Sequence, residues 1–110
     1  FHAEVTSEKM AMGYFLDGRV SAVFGTHTHI QTADAKILEN GTGYITDLGM
    51  TGPKDSILGM NKKIIIDRFV SGNPQKFEIA QGKGQFCGCI FTVDEATGKC
   101  TEVERLYIEE

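Results

Sequence analysis

Apolar residues at helical spacing open the chain and predict an amphipathic helix. Thr6 or Ser7 offers a hydroxyl that can cap the first turn, and Gly18 follows the last periodic residue as a stop. We expect Met10 and Phe15 to lie in the core on the apolar face of this helix.

The helix is followed by a pattern typical of strands. Residues 20–24 are a short β-branched and aromatic run, which predicts a buried strand that ends at Gly25. Farther along, residues 35–38 and 43–46 flank an Asn-Gly pair at 40–41, which predicts a β-hairpin because both residues tolerate positive φ.

The middle of the chain predicts a loop, a short turn and a second helix. Residues 47–53 contain repeated glycines and predict a loop, and residues 55–60 predict a single turn that Asp or Ser can cap. Asn61 is placed to cap a helix over residues 62–70, which the Gly-Asn-Pro at 72–74 ends. The residues expected to share its buried stripe are Met60, Ile64, Ile65 and Phe69.

The carboxyl-terminal third predicts β structure. We expect strands at residues 76–80, 85–93 and 100–108, the last two joined by a turn as an antiparallel hairpin. Cys87 and Cys89 fall on one face of their strand, and no second Cys or His pair stands at metal-binding spacing. We therefore expect them to be small core or half-buried residues and not zinc ligands.

Composition narrows the class of protein. The chain has 110 residues, 41% of them hydrophobic and 24% charged, which is ordinary for one small α/β domain. A net charge of −4 without a basic cluster argues against a long nucleic-acid partner, and no apolar run is long enough to span a membrane. Three cysteines, an odd number, and no opening signal peptide lead us to expect a cytoplasmic location.

The first residues give a further expectation about organisation. The chain begins at Phe1 without a methionine, and its opening residues resemble the end of an element already under way. A histidine at position 2 would have little support if it had to act as a ligand. We therefore expect the chain to be a piece of a longer protein.

Histidines supply the candidate chemistry. His27 and His29 follow the predicted strand within one loop, and His2 precedes the predicted helix. Loops at the carboxyl ends of strands are where ligands bind in open α/β sheets, and neutral imidazole is a ligand for zinc, iron, manganese or nickel. The spacing alone leaves open whether these histidines bind metal or are ordinary polar residues of the surface.

The loop sequence Gly-Thr-His-Thr-His at 25–29 resembles the Gly-x-His-Thr-His signature of calcineurin-like metallophosphoesterases. A longer set of motifs is similar to the YmdB-type branch of that family. These motifs are FHAEVTSEK at 1–9, DGRV at 17–20, QTAD at 31–34 and YITDLGMTGP at 44–53.

The resemblance implies a portion of a four-layer α/β/β/α sandwich, with a mixed sheet and a carboxyl-terminal antiparallel hairpin. It implies a metal-dependent phosphodiesterase that acts on small phosphodiesters such as 2′,3′-cyclic nucleotides. Two transition-metal ions, iron or manganese and alternatively zinc, would clamp the phosphoryl oxygens and convert a bridging water to hydroxide. By motif position His2 and His27 would ligate one metal and His29 the other.

The same resemblance indicates what this chain lacks. The family's aspartate, bridging glutamate and two asparagine ligands, and its histidine general acid, belong to an amino-terminal half that is absent. Glu4, Asp34 and Asp47 match none of them, so no catalytic or substrate-binding residue is assigned here. We expect residues 1–110 to be the carboxyl-terminal part of a single domain, inactive alone, that pairs with its missing half or forms homo-oligomers.

One alternative belongs to a different class. The chain could be a non-catalytic oligomerisation or binding module that retains the fold and the histidines. A small metal-storage role is a third hypothesis, which the odd number of cysteines does not support. The metal-ligand residues upstream of this chain would discriminate between the enzyme and the module.

Overall fold

The computed structural model describes residues 1–110 and contains two helices and six strands. In chain order these elements are α1 (Thr6–Leu16), β1 (Ala22–Phe24), β2 (Lys36–Ile37), β3 (Gly43–Ile45), β4 (Gly52–Pro53), α2 (Lys62–Ser71), β5 (Gly84–Val93) and β6 (Cys100–Glu109). The α/β class is confirmed.

The strands form two three-stranded sheets. The first has the order β1-β3-β2, in which β1 and β3 are parallel and β2 and β3 antiparallel. The second has the order β4-β5-β6 and is antiparallel throughout. The mixed sheet and the carboxyl-terminal antiparallel hairpin are therefore confirmed.

The two sheets touch through small and aromatic residues. The rings of Phe24 and Phe91 stack with centroids 6.2 Å apart. Gly43 lies so close to the second sheet that an added Cβ would be 2.6 Å from the Phe91 ring and 2.7 Å from the Cys100 sulfur. A side chain at position 43 would therefore separate the sheets.

Helix α1 packs on the first sheet through a face that the apolar pattern does not predict. Its N-cap is Val5, with no side-chain cap, so the predicted hydroxyl cap at position 6 or 7 is wrong. Its buried residues are Lys9 and Gly13, and Gly13 admits the Tyr44 ring. Met10 and Phe15 are exposed, so their predicted core positions are wrong. The buried side is selected by the close approach at Gly13 and by the pairing of Lys9 with Asp47, neither of which an apolar pattern records.

Strand β1 is shorter than predicted. It covers three residues, and only Val23 among them is buried, while Val20 and Phe24 are exposed. The prediction of one buried strand over residues 20–24 is wrong at its ends because Val20 belongs to a turn and only one face of β1 is covered. The small core consists of Val23, Leu38 and Tyr44, with Leu16 of α1 packed against it.

The Asn-Gly hairpin is confirmed in position. Strands β2 and β3 pair around it, Gly41 has φ of 95°, and the Leu38 N–H donates to the Thr42 carbonyl at 2.8 Å. The glycine-containing segment that follows is a loop as predicted, except that Gly52–Pro53 form β4.

Helix α2 begins as predicted. The Asn61 side chain accepts a hydrogen bond from the Ile64 N–H, and Gly72 ends the helix in the left-handed conformation. Ile65 is its one buried residue. Phe69 is 83% exposed, so the prediction that it belongs to a buried stripe is wrong. The reason is that the helix contacts the rest of the chain along one narrow line only.

The segment before β5 is not a strand. Of residues 76–80, only Ile79 forms a bridge, with Met60, and only Ala80 is buried. The predicted strand is wrong because the neighbouring backbone at 57–60 folds into its own tight turn and offers a single pairing position.

The long hairpin is confirmed nearly to the residue. Strands β5 and β6 each have ten residues, with an irregularity between Thr92 and Val93. Cys87 and Cys89 are half-buried, as predicted, and both are free thiols.

The molecule is elongated and covers little of its apolar surface. Only 15 of 110 residues are buried. The radius of gyration is 17.0 Å, against about 13 Å for a compact domain of this length. None of the helices has the length and apolar character needed to cross a membrane.

Candidate functional site

The loop of residues 25–29, called here the histidine loop, leaves the carboxyl end of β1 and lies beside the end of β3. Its first residue is tied to β3, because the Gly25 N–H donates to the Ile45 carbonyl at 3.1 Å and the Gly25 carbonyl accepts from the Leu48 N–H at 2.9 Å. Thr46 passes so close that a Cβ on Gly25 would be 1.9 Å from its carbonyl oxygen. The loop therefore begins at a fixed position against β3.

The amino-terminal residues lie along the other side of the same loop. The Thr26 N–H donates to the Phe1 carbonyl at 3.3 Å, and His2 forms a parallel bridge with Thr26. This pairing continues the sheet beyond β1. It brings His2, 25 positions away in sequence from His27, to the edge of the loop.

The imidazoles of His2 and His27 meet directly. His2 Nε2 and His27 Nδ1 are 3.1 Å apart, and the ring centroids are 5.0 Å apart at an interplanar angle of 74°. His2 Nδ1 lies 2.9 Å from the Thr26 hydroxyl. A proton on Nδ1 directed at that hydroxyl leaves His2 Nε2 free as a lone-pair donor, which is the tautomer that a metal-binding histidine needs.

The separation of these nitrogens fits two ligands of one transition metal. Imidazole nitrogens bind zinc at about 2.0–2.1 Å, so two of them on a tetrahedral or octahedral ion are about 2.9–3.4 Å apart. The observed 3.1 Å between His2 Nε2 and His27 Nδ1 lies within this range. The donor set fits iron, manganese or zinc.

His29 is not part of this pair. It has no hydrogen bond to His2 or His27, and it lines two cavities to which neither of them contributes. No group of three or more His, Cys, Asp or Glu side chains is close enough to hold a metal ion. The chain thus brings two of the three predicted ligands together and leaves the third apart.

The backbone of both loop histidines is strained. His27 has φ of 133° and His29 φ of 66°, in the left-handed half of conformational space that residues with a Cβ seldom adopt. Such conformations cost about 1–3 kcal/mol each and persist where the surroundings enforce them. Here they accompany two different environments, since His27 contacts His2 while His29 lines a cavity.

Asp47, which follows β3, is the group that holds the loop in this shape. Its Oδ2 accepts from the Thr28 N–H at 2.8 Å and from Lys9 Nζ at 3.1 Å, and its Oδ1 accepts from the Gly49 N–H at 2.9 Å. The Asp47 and Lys9 side chains are 0% and 2% exposed. Burial by itself would raise the pKa of Asp47, but the hydrogen bonds from Thr28, Gly49 and Lys9 outweigh it and lower that pKa.

A second carboxylate supports the residue before Asp47. Asp34 Oδ1 accepts from the Thr46 N–H at 3.1 Å and from the Thr32 hydroxyl at 2.6 Å. Although burial opposes it, hydrogen bonding from Thr32 and Thr46 lowers the pKa of Asp34. The Thr32 hydroxyl in turn accepts from the Asp47 N–H at 2.9 Å, so the two carboxylates belong to one network.

Gln31 connects the segment after the loop to the second sheet. Its Nε2 lies within hydrogen-bond distance of three backbone carbonyls, those of Leu48 at 3.3 Å, Gly88 at 2.9 Å and Leu106 at 3.0 Å. One side chain therefore links the β3 loop, β5 and β6 beside His29.

Sequence reasoning missed Lys9, Asp47 and Gln31 as parts of this site. Asp47 could have been found, because it follows an apolar strand whose carboxyl end is next to that of β1. Lys9 carries no such signal, since a lysine in a helix is ordinarily exposed.

The chain is similar in sequence to known proteins along its whole length. A family model described as "YmdB-like protein" matches residues 1–106. The chain is 54% identical over 110 residues to the 2′,3′-cyclic-nucleotide 2′-phosphodiesterase of Bacillus subtilis (strain 168) and covers 42% of that protein. It is 43% identical over 111 residues to a "Putative phosphatase/phosphodiesterase" of Mycoplasma pneumoniae and covers 40% of it.

Solved structures agree. A hypothetical protein from Thermus thermophilus superposes with a TM-score of 0.92 at 47% identity, and a novel phosphatase from Mycoplasma pneumoniae with a TM-score of 0.94 at 43% identity. Each match covers 99% of this chain but only 42% and 39% of the other. The chain therefore spans about two fifths of the length of the relatives that it matches.

Proposed function

Because the chain belongs to the YmdB-like family, we propose that it is the carboxyl-terminal part of a metal-dependent phosphodiesterase that hydrolyses small phosphodiesters such as 2′,3′-cyclic nucleotides. The names of the relatives, a cyclic-nucleotide phosphodiesterase and a phosphatase/phosphodiesterase, support the reaction class. The observation that carries the proposal is the pair of imidazole nitrogens 3.1 Å apart at the carboxyl end of β1.

In this proposal His2 and His27 hold one transition-metal ion, and His29 contributes to a second, iron or manganese or alternatively zinc. Bound cations would supply Lewis-acid charge against the negative phosphodiester. The chain's own residues fix the ligands: Thr26 selects the His2 tautomer, and Asp47 holds the backbone between His27 and His29.

The remaining ligands and a general acid would come from an amino-terminal half of the same domain. Two observations support this arrangement, the coverage of two fifths of each relative and the absence of any three-ligand cluster in this chain. That half would also complete a four-layer α/β/β/α sandwich. The chain alone would accordingly be inactive.

Replacing His27 with alanine in the longer protein tests the proposal. We expect about half of the bound metal to be lost, because one of two sites loses a ligand, and hydrolysis of 2′,3′-cyclic AMP to fall by at least about 100-fold. Elemental analysis of the purified protein and a product assay measure the two effects.

Lys63→Ala is the matched control, because Lys63 is exposed on α2 and pairs only with Asp67. It should retain full metal content and turnover. Unchanged metal content and activity in His27→Ala would reject the assigned ligand, and a wild-type protein that hydrolyses no phosphodiester would reject the function.

A further inference from the structure

A cavity of about 430 Å³ lies beside His29, between the histidine loop and the second sheet. Its size is within the range of small-molecule binding sites. The residues that matter for its chemistry are His29, Gln31, Gln85, Cys87, Arg105 and Tyr107.

The floor of this cavity is one face of the β5–β6 hairpin. Tyr107 stands directly opposite Cys87, and Arg105 directly opposite Cys89, so these side chains emerge on a common face. Gln31 is held against this hairpin by hydrogen bonds from its side chain to the backbone of β5 and β6. Contacts within the chain therefore fix this part of the lining.

The charge of the cavity differs from that of the chain. The chain has a net charge of −4 with its histidines neutral, yet Arg105 is the one formally charged side chain in the lining of the cavity. Glu109, on the same face of the hairpin, pairs with Lys54 at 2.5 Å, and its hydrogen bond with Tyr107 raises the pKa of that hydroxyl. The Arg105 end of the cavity is therefore the part suited to an anionic group.

An aromatic ring and an amide complete the lining. Tyr107 is 51% exposed, and its hydroxyl donates to Gln85 Oε1 at 3.2 Å. This bond and the contact of Gln85 Nε2 with the Met50 carbonyl at 3.5 Å orient the Gln85 amide beside the half-exposed ring. A flat heterocycle with hydrogen-bonding edges matches that pair, because bases stack on aromatic side chains and amides recognise base edges.

We propose that this cavity binds the nucleoside part of the substrate, with the base against Tyr107, its edge at Gln85 and the phosphate end toward Arg105 and His29. The inference rests on the proposed function and makes Tyr107 a residue that determines specificity for nucleotides. A phosphodiester that lacks a base would make no stacking contact with Tyr107, so Tyr107 would not increase its affinity.

The test compares 2′,3′-cyclic AMP with glycerol 1,2-cyclic phosphate, which has the same five-membered cyclic diester and no base. In the longer protein with manganese, Tyr107→Leu should lower the ratio of kcat/KM for the nucleotide to that for the glycerol compound by about tenfold. Tyr107→Phe retains the ring but loses the hydroxyl that bonds to Gln85, so it should lower the ratio by a smaller factor than Tyr107→Leu.

Tyr14→Leu is the matched control, because Tyr14 is also about half exposed, at 56%, but lies on α1 away from the cavity. It should leave the ratio unchanged. An unchanged ratio in Tyr107→Leu, or an equal fall in Tyr14→Leu, would overturn the proposal.

Equilibrium binding of adenosine, which has no phosphate, separates this inference from the proposed function. If the longer protein hydrolyses neither diester, the proposed function fails, and adenosine binding still tests the cavity. Binding that weakens about tenfold in Tyr107→Leu supports the cavity as a nucleoside site. No binding, or equal binding by both proteins, overturns it.

Discussion

At the level of single residues, the buried pair of Lys9 and Asp47 lies beneath the histidine loop and is chemically asymmetric. Asp47 has three donors, the N–H groups of Thr28 and Gly49 and the Lys9 ammonium. Lys9 has Asp47 as its one side-chain partner. Removing the carboxylate therefore leaves a buried cation without a partner, whereas removing the cation leaves a carboxylate that is still hydrogen-bonded.

This asymmetry predicts the order of two substitutions in the longer protein. Asp47→Asn should lower the free energy of unfolding by about 3–5 kcal/mol, the typical cost of breaking a buried pair from one side. Lys9→Met, which keeps the length of the side chain, should cost clearly less. Urea unfolding at neutral pH measures both, and an equal or larger loss in Lys9→Met would contradict the prediction.

The same carboxylate predicts a dependence on pH. The pKa of Asp47 is lower in the folded chain than its ordinary value, so its contribution to stability is fully present above about pH 4 and is lost as the pH falls through the folded pKa. The difference in unfolding free energy between wild type and Asp47→Asn should therefore shrink below about pH 4. A difference that stays constant down to about pH 2 would show that ionisation of Asp47 is not involved.

At the level of elements, the contact between β1 and β3 depends on Gly25. A Cβ at this position would be 1.9 Å from the Thr46 carbonyl oxygen, and backbone cannot yield as a flexible side chain can. Gly25→Ala should therefore separate the two strand ends, lower the unfolding free energy by about 3 kcal/mol and displace the histidine loop. Thermal unfolding and metal content of the longer protein measure these effects.

Gly52→Ala is the matched control. Gly52 also lies in a short strand, but its nearest neighbour for a Cβ is the Met50 methyl at 3.7 Å, an ordinary contact. It should change stability by less than about 1 kcal/mol. Gly25→Ala with wild-type stability and metal content would mean that this close approach does not position the loop.

Elements with strong local signals were predictable from the sequence. The Asn40-Gly41 turn, the Asn61 cap and the alternating β5–β6 hairpin all depend on neighbouring residues. The choice of the buried face of α1 and the absence of a strand at residues 76–80 depend on distant partners. One example is Tyr44, which packs against Gly13. A periodic pattern contains no information about those partners.

In the candidate site, too, features that depend on neighbouring residues were predictable and features that depend on distant residues were not. The loop with His27 and His29 was predictable because it follows a strand, and the pairing of His2 with His27 was expected from the family resemblance. The dependence of that loop on Lys9 and Asp47 was not, because the two residues are 38 positions apart and meet only when α1 packs on the sheet. The Gln31 contacts likewise require both sheets.

At the level of the whole molecule, the exposed apolar surface is the dominant property. Phe69 and Val70 on α2 are each 83% exposed, Phe15 on α1 is 67% exposed, and the dimensions are 54 × 30 × 17 Å. Large exposed apolar surfaces ordinarily mark an interface. The proposed amino-terminal half is the occupant consistent with relatives about two and a half times longer.

This surface predicts how the isolated chain should behave beside the longer protein. Residues 1–110 alone should bind the dye ANS strongly, elute as associated species and hydrolyse no cyclic nucleotide, because apolar faces remain exposed and the proposed metal site needs ligands from the other half. The longer protein should bind little dye, since the proposed second half would cover those faces. A double substitution, Phe69→Ser with Val70→Ser, should reduce dye binding by the isolated chain, whereas Lys62→Ser with Lys63→Ser on the same helix should not. An isolated chain that is monomeric, binds no dye and unfolds with the stability of the longer protein would show that these faces need no partner.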